Sequence, residues 1–271
     1  MRDLPQYRGR SPNILVAMVL LILALLTAVV TAVLVRRGIL RWAKACALTA
    51  VAALTGGIVE LTGDVVDDDG VTRIDPATMN WVIPHRTGWL TPIAKAVSDL
   101  GAISTMGVVA LAACAWFAWR RRWPQLVLIA AAAGGAGAIG AFLKVVVGRQ
   151  RPPVADHLVV ETSQSFPSGH TLGSTAIVGA LTALVVLSLH RRAPKIAAAL
   201  GAATFVLAVG ASRLYLGVHW PTDVLAGMAI GTLWLTLCVS AYTLYLRLRE
   251  PSPTTHTPII HTSAQPPVIP E

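Results

Sequence analysis

Seven long apolar runs, over residues 14–35, 40–61, 100–118, 125–146, 170–189, 196–212 and 221–246, restrict the folding of this chain more than any other feature. A helix needs about 20 apolar residues to cross the hydrocarbon core of a bilayer. Most of the runs reach that length, and 196–212 is the shortest. Lipid offers backbone groups no water, so spans with internal hydrogen bonds are the expected solution. Hydrophobic residues make up 55% of the 271 and charged residues 13%, a balance that suits a multi-span membrane protein and not a soluble domain. The expected fold class is therefore an all-α integral membrane protein.

The net charge of +9 would attract nucleic acid if it formed one face. It is split instead into short clusters between the apolar runs, and no nucleic acid is expected as a partner. Arg36, Arg37, Arg41 and Lys44, then Arg120 to Arg122, then Arg191, Arg192 and Lys195, then Arg247 and Arg249 fall on one side if the spans alternate. That side carries 12 of the 22 Lys and Arg residues, and the positive-inside rule makes it cytoplasmic. The first run follows Arg2, Arg8 and Arg10 and is read as a span, too long for the core of a secretory leader. Residues from 250 onward are rich in Pro and Thr and are expected to be a disordered cytoplasmic tail, with His256 and His261 incidental.

Between the second and third runs lies a polar connection, 62–99. Its acidic residues Asp64, Asp67, Asp68 and Asp69 lack the ligand alternation of a calcium loop and are read as a solvated turn. Asp75-Pro76 and Thr91-Pro92 each look like a helix cap followed by proline. With Trp81 and Trp89 they predict two short helices along the membrane surface, and His85 and Arg86 between them are expected to face solvent or headgroups. Glycines 134, 135, 137 and 140 suit the fourth run to close helix contact. Cys46, Cys114 and Cys238 lie inside apolar runs without a metal or disulfide pattern and are read as small core residues.

The side opposite the basic clusters collects the remaining unusual residues. Lys144 and Arg151-Pro152 end the fourth run, Pro167-Ser168-Gly169-His170 precede the fifth, and Ser212-Arg213, His219 and Asp223 lie between the sixth and seventh. Charge at a membrane edge is costly and points to function. Lys and Arg supply positive charge for a phosphate, and an arginine fork grips two oxygens. Ser168 suits a helix cap, so the N–H groups from Gly169 onward would point at a bound anion. Pro221 suits the first position of a helix, which puts Asp223 in the first turn near His219. A carboxylate beside an imidazole fixes its tautomer and stabilises its protonated form.

These residues are spaced as Lys144-x6-Arg151-Pro152, Pro167-Ser168-Gly169-His170 and Ser212-Arg213-x5-His219-x3-Asp223, eleven in all. The pattern resembles the three-part signature of the type 2 phosphatidic acid phosphatase family, which shares its site with vanadium haloperoxidases and soluble acid phosphatases. The resemblance covers roughly residues 40 to 246 and implies a six-span helical core with one additional N-terminal span. It divides the chain into an extension over 1–39, a phosphatase membrane domain over 40–249 and a tail over 250–271. By this resemblance His219 would attack phosphorus and form a phosphohistidine, oriented by Asp223. His170 would protonate the leaving oxygen and then activate water. Lys144, Arg151, Ser168, Gly169 and Arg213 would bind the substrate phosphate. No metal or other cofactor is expected. Arg149 lies outside the fixed pattern and is expected to face headgroups.

A site at the bilayer edge suits a lipid phosphate or diphosphate of the isoprenyl diphosphate, phosphatidylglycerol phosphate or phosphatidic acid class. The expected location is the inner (cytoplasmic) membrane, multi-pass and surrounded by membrane lipids, with the site facing the extracytoplasmic side. Three alternatives stay open: a lipid phosphotransferase using the same site, an anion transporter whose charges line a pathway, and a non-enzymatic scaffold.

Overall fold

A computed structural model of the chain describes residues 42–249, with side chains from residue 50 onward. The first apolar run, the N-terminal extension and the tail lie outside the described residues. Among these residues the regular structure is all helical, with a long loop over 148–168. Helix α1 spans Trp42–Asp67, α2 Ile74–Val82, α3 Leu90–Leu100, α4 Ile103–Trp119, α5 Trp123–Val147, α6 Gly169–Ser188, α7 Arg192–Tyr215 and α8 Pro221–Arg249. Four of these, α5 to α8, are long and apolar enough to cross a membrane, and α3 with α4 meets the same measure as a pair bent by 43°. The shortest run, 196–212, belongs to a full 24-residue helix.

Helix α6 is the centre of the bundle and packs against α4, α5, α7 and α8. One core joins α1, α5, α6 and α8 through Ile58, Leu143, Leu172, Ile230 and Leu233, and a second joins α4, α5, α6 and α8 through Met106, Ile129, Ile177 and Tyr242. Large apolar side chains such as Leu111, Val127, Val145 and Leu207 remain exposed on the outside of the bundle, as a lipid-facing surface requires.

Of the fourth-run glycines expected to allow close helix contact, one does so. A Cβ on Gly134 or Gly137 would meet nothing, and of the fourth-run glycines only Gly135 is filled closely, by the ring of Trp234. The tight crossing is between α6 and α8. A Cβ on Gly227 would stand 2.2 Å from Thr171 Oγ1 and 2.7 Å from the Ser168 carbonyl oxygen, and one on Gly231 would stand 2.8 Å from Thr175 Cβ. Small residues four apart let two backbones approach. Here the approach ties the start of α6 to the start of α8.

The two short helices in the polar connection exist, with different chemistry at their starts. Helix α1 continues through Asp64, so the acidic residues close a helix: Asp64 accepts from Val71 N at 2.8 Å and Asp69 from Gly70 N at 2.7 Å. Asp75 does not cap α2; it lies in the first turn, buried, with its carboxylate turned into the bundle. Thr91 likewise lies inside α3 and donates back to Thr87 O at 3.1 Å. Trp81 and Trp89 are exposed, as is His85. Arg86 is not: it donates to Tyr215 O at 2.7 Å and Asp156 O at 2.9 Å, bracing the end of α7. Cys238 is buried and Cys114 half-buried, and neither is paired.

Gly227→Val should lower stability by about 1–3 kcal/mol through overpacking, because the obstruction includes a backbone carbonyl. Gly134→Ala, facing open space, should be neutral. Thermal unfolding of both variants in detergent checks this; equal midpoints would contradict the packing described.

Candidate active site

The turn between α7 and α8 is built from its backbone outward. Leu216 and Val218 are fully buried, and Gly217 between them takes φ +75. A Cβ there would lie 2.3 Å from Asp156 O and 2.6 Å from Arg86 Nη2, so only glycine fits. The chain then reaches His219, Trp220 and Pro221, which opens α8 as expected. Asp223 accepts from Trp220 N at 2.9 Å and so caps its own helix.

The same carboxylate faces His219, with Asp223 Oδ2 3.4 Å from Nδ1. On the other edge of the ring, Arg151 Nη1 lies 3.2 Å from Nε2. A guanidinium can only donate, so Nε2 presents its lone pair and Nδ1 carries the proton toward Asp223. His219 is almost completely buried. Burial pulls its pKa down to about 4 against the opposing pull of Asp223, so the ring is neutral at pH 7. A neutral imidazole with an unprotonated Nε2 facing Arg151 is equipped to attack an anionic electrophile once that guanidinium turns to the phosphate.

The cations come from three elements. Lys144, near the end of α5, donates to Gln164 O. Arg151, in the following loop, donates to Val218 O at 2.6 Å and Ser163 O at 2.7 Å; burial lowers its pKa against Glu161 and Asp223. Arg213, in the last turn of α7 and 2% exposed, donates to Ser98 Oγ at 2.5 Å. Arg213 and Arg151 both also reach Glu161. Burial alone would raise the Glu161 pKa, but the two guanidinium groups hold it below its ordinary value, and it is ionised at neutral pH. Its carboxylate thus sits between the cations where an anionic group would fit.

At the start of α6, Ser168 occupies the N-cap position but its hydroxyl makes no cap hydrogen bond. Its backbone N–H donates to Asp223 O at 3.1 Å, joining the second signature stretch to the third. Ser168 Oγ and Arg213 Nε are buried polar atoms without a hydrogen-bond partner. Such atoms are costly unless something pairs with them. Gly169 packs closely on Ile103, where a Cβ would fall 2.9 Å from Cδ1. His170 interacts electrostatically with Arg213, Glu161, His219 and Arg151. All eight residues singled out from the sequence therefore share one end of the bundle.

Four further residues belong to the same cluster. Arg149 does not face headgroups: it donates to Asp223 Oδ1 at 2.7 Å, Thr222 Oγ1 at 2.7 Å and Asp75 Oδ2 at 2.6 Å. Ser165, fully buried, donates to Asp223 Oδ2 and stands 3.4 Å from His219 Nδ1. Glu161 and Asp75 complete the set. The sequence offered one signal for Arg149, its place within the first stretch, and a weaker one for Glu161, which with Asp156 is one of two acids between the first and second stretches. Nothing marked Ser165 or Asp75.

The chain is similar to known proteins. Residues 125–246 match the family model described as the PAP2 superfamily. Phosphatidylglycerophosphatase B of Bacillus subtilis is 31% identical over 174 residues, covering 62% of this chain and 83% of the relative. Decaprenylphosphoryl-5-phosphoribose phosphatase of Mycolicibacterium smegmatis is 37% identical over 145 residues, covering 52% of this chain and 73% of the relative. Among solved structures, the PAP2-type phosphatidylglycerolphosphate phosphatase from Bacillus subtilis superposes with a TM-score of 0.64 at 28% identity, covering 72% of this chain and 96% of that one. The chain belongs to the PAP2 superfamily and is a multi-pass membrane protein of its lipid phosphatase kind.

Proposed function

We propose that this protein hydrolyses a lipid phosphate or diphosphate through a phosphohistidine on His219, without a metal. The observation that carries the reading is the poised imidazole: Nδ1 turned to Asp223 and Nε2 to Arg151, at the end of the bundle that also holds the unpartnered Ser168 Oγ and Arg213 Nε. In the first step the Nε2 lone pair attacks phosphorus and the bond to the lipid oxygen breaks, while His170 gives its proton to that oxygen. The imidazolium that forms is stabilised by Asp223. In the second, His170 takes a proton from water, the resulting hydroxide attacks phosphorus, and the P–N bond breaks to release phosphate and neutral His219. Lys144, Arg151, Arg213, Ser168 and the Gly169 amide hold the non-reacting oxygens, the task that metal ions perform in other phosphoryl-transfer sites. An alcohol in place of water would make the same site a phosphotransferase.

An incoming phosphate must exchange with Glu161 for the two arginines. The substrate class follows from position: at a helix-bundle end bordered by a lipid-facing surface, a headgroup enters while its chains stay in lipid. Isoprenyl diphosphates, phosphatidylglycerol phosphate and phosphatidic acid all fit this description; the name of the Bacillus relative favours phosphatidylglycerol phosphate, and that of the Mycolicibacterium relative favours a phosphate carried on a prenyl lipid. We read 40–249 as a six-span catalytic domain preceded by an extra span in 1–39 and followed by a tail over 250–271. The basic helix ends lie on the cytoplasmic side of the inner membrane, and the site faces outward.

Purified protein in detergent with EDTA should release phosphate from a lipid phosphate, and His219→Ala should abolish the release; strict dependence on added magnesium would contradict the mechanism. In right-side-out vesicles a non-permeant phosphate ester should be cleaved, and cleavage confined to inverted vesicles would reverse the orientation. Glu161→Gln should tighten competitive inhibition by vanadate about tenfold, since a rival carboxylate between two guanidinium groups is removed. Weaker inhibition would show that Glu161 assists anion binding instead.

A further inference from the structure

We infer that Asp75 is a positioning residue for this reaction, acting through Arg149 to keep the charge of Asp223 available to His219. The inference rests on the proposed chemistry at His219. Asp75 stands on α2, which precedes the residues 125–246 that match the family model. It is 2% exposed, and every partner of its carboxylate belongs to the site. Oδ1 accepts from Thr222 N at 3.0 Å, and Oδ2 accepts from Thr222 Oγ1 at 2.6 Å and Arg149 Nη2 at 2.6 Å. The other nitrogen of Arg149, Nη1, donates to Asp223 Oδ1 at 2.7 Å. Asp223 Oδ2, which also accepts from Ser165 Oγ and Trp220 N, faces His219 Nδ1.

Four groups thus stand in a row with alternating charge: Asp75, Arg149, Asp223 and the imidazole that becomes positive in the transition state. A guanidinium paired with Asp223 alone would cancel the carboxylate that the imidazolium needs. Sharing that guanidinium with a second buried carboxylate leaves one net negative charge beside His219. It also fixes which oxygen of Asp223 turns to the ring, because Oδ1 is committed to Arg149. Asp75 touches no group that would contact phosphate. Its loss should therefore slow the chemical step and leave substrate binding alone.

Steady-state kinetics on a soluble phosphate ester in detergent test this, after wild-type turnover has been established. Asp75→Asn should lower kcat about tenfold, the effect of roughly one pK unit of imidazolium stabilisation, with KM within about twofold. The double variant Asp75→Asn/Arg149→Gln removes one charge of each sign, leaves Asp223 ionised, and should recover most of kcat. Asp75→Glu should stay within a few fold of wild type. A purely structural role predicts that the double variant is worse than either single one, and that result would overturn the inference, as would a KM that rises in step with the fall in kcat. If Asp75→Asn does not accumulate as folded protein, Asp75→Glu and the double variant carry the test, since both keep the charge balance; a tenfold loss of kcat in both with KM intact would overturn it. An inactive wild type would defeat the phosphatase reading itself, a result distinct from active wild type with unaffected variants.

Discussion

A carboxylate with no exposure to water must be surrounded by donors, and Asp223 is the clearest case in this molecule. Trp220 N, Ser165 Oγ and Arg149 all donate to it, and His219 faces it. Those donors come from the α7–α8 turn, the loop before α6 and the loop after α5. Satisfying one buried charge therefore draws three parts of the chain together. Breaking a buried pair on one side costs several kcal/mol, because the remaining charge is left unpaired. The site and the fold at this end of the bundle are for that reason a single problem with a single solution.

The helices hold that solution from below. Gly227 and Gly231 let α8 lie against α6 closely enough for Ser168 N to reach Asp223 O, so the second and third signature stretches meet through backbone as well as side chains. Gly217 lets the α7–α8 turn pass over Asp156 and Arg86. Positive charge on Lys144, Arg151 and Arg213 then has two kinds of counterweight. Asp75 and Asp223 are buried and act on Arg149 and the imidazole; Glu161, partly exposed, stands between Arg151 and Arg213 and is the carboxylate that a substrate phosphate can replace.

Much of this was legible in the sequence, and the rest was not for identifiable reasons. The apolar runs gave the helices, and the residues at their ends gave Lys144, Arg151, Ser168, His170, Arg213, His219 and Asp223, because charge beside an apolar run is conspicuous. Pro221 marked a helix start by its own stereochemistry. Asp75 looks like a cap because Asp-Pro before a helical stretch carries that local meaning, while its partners Arg149 and Thr222 are more than 70 residues away and leave no periodic trace. Arg149 was assigned to headgroups for the same reason: its partners are acids on other elements. The fourth run is richer in glycine than its packing requires, whereas Gly227 and Gly231, two ordinary-looking glycines in α8, make the closest crossing.

The central claim is that Nε2 of His219, held unprotonated by its partners, is the atom that takes the phosphoryl group. Rapid acid-free quenching of enzyme with a radiolabelled phosphate ester, followed by peptide mapping, tests it most directly. The account predicts an alkali-stable, acid-labile label on His219, which accumulates in the His170→Ala enzyme when the ester's leaving group departs without needing a proton. Label on any other residue, or full turnover in a His219→Asn enzyme, would contradict it.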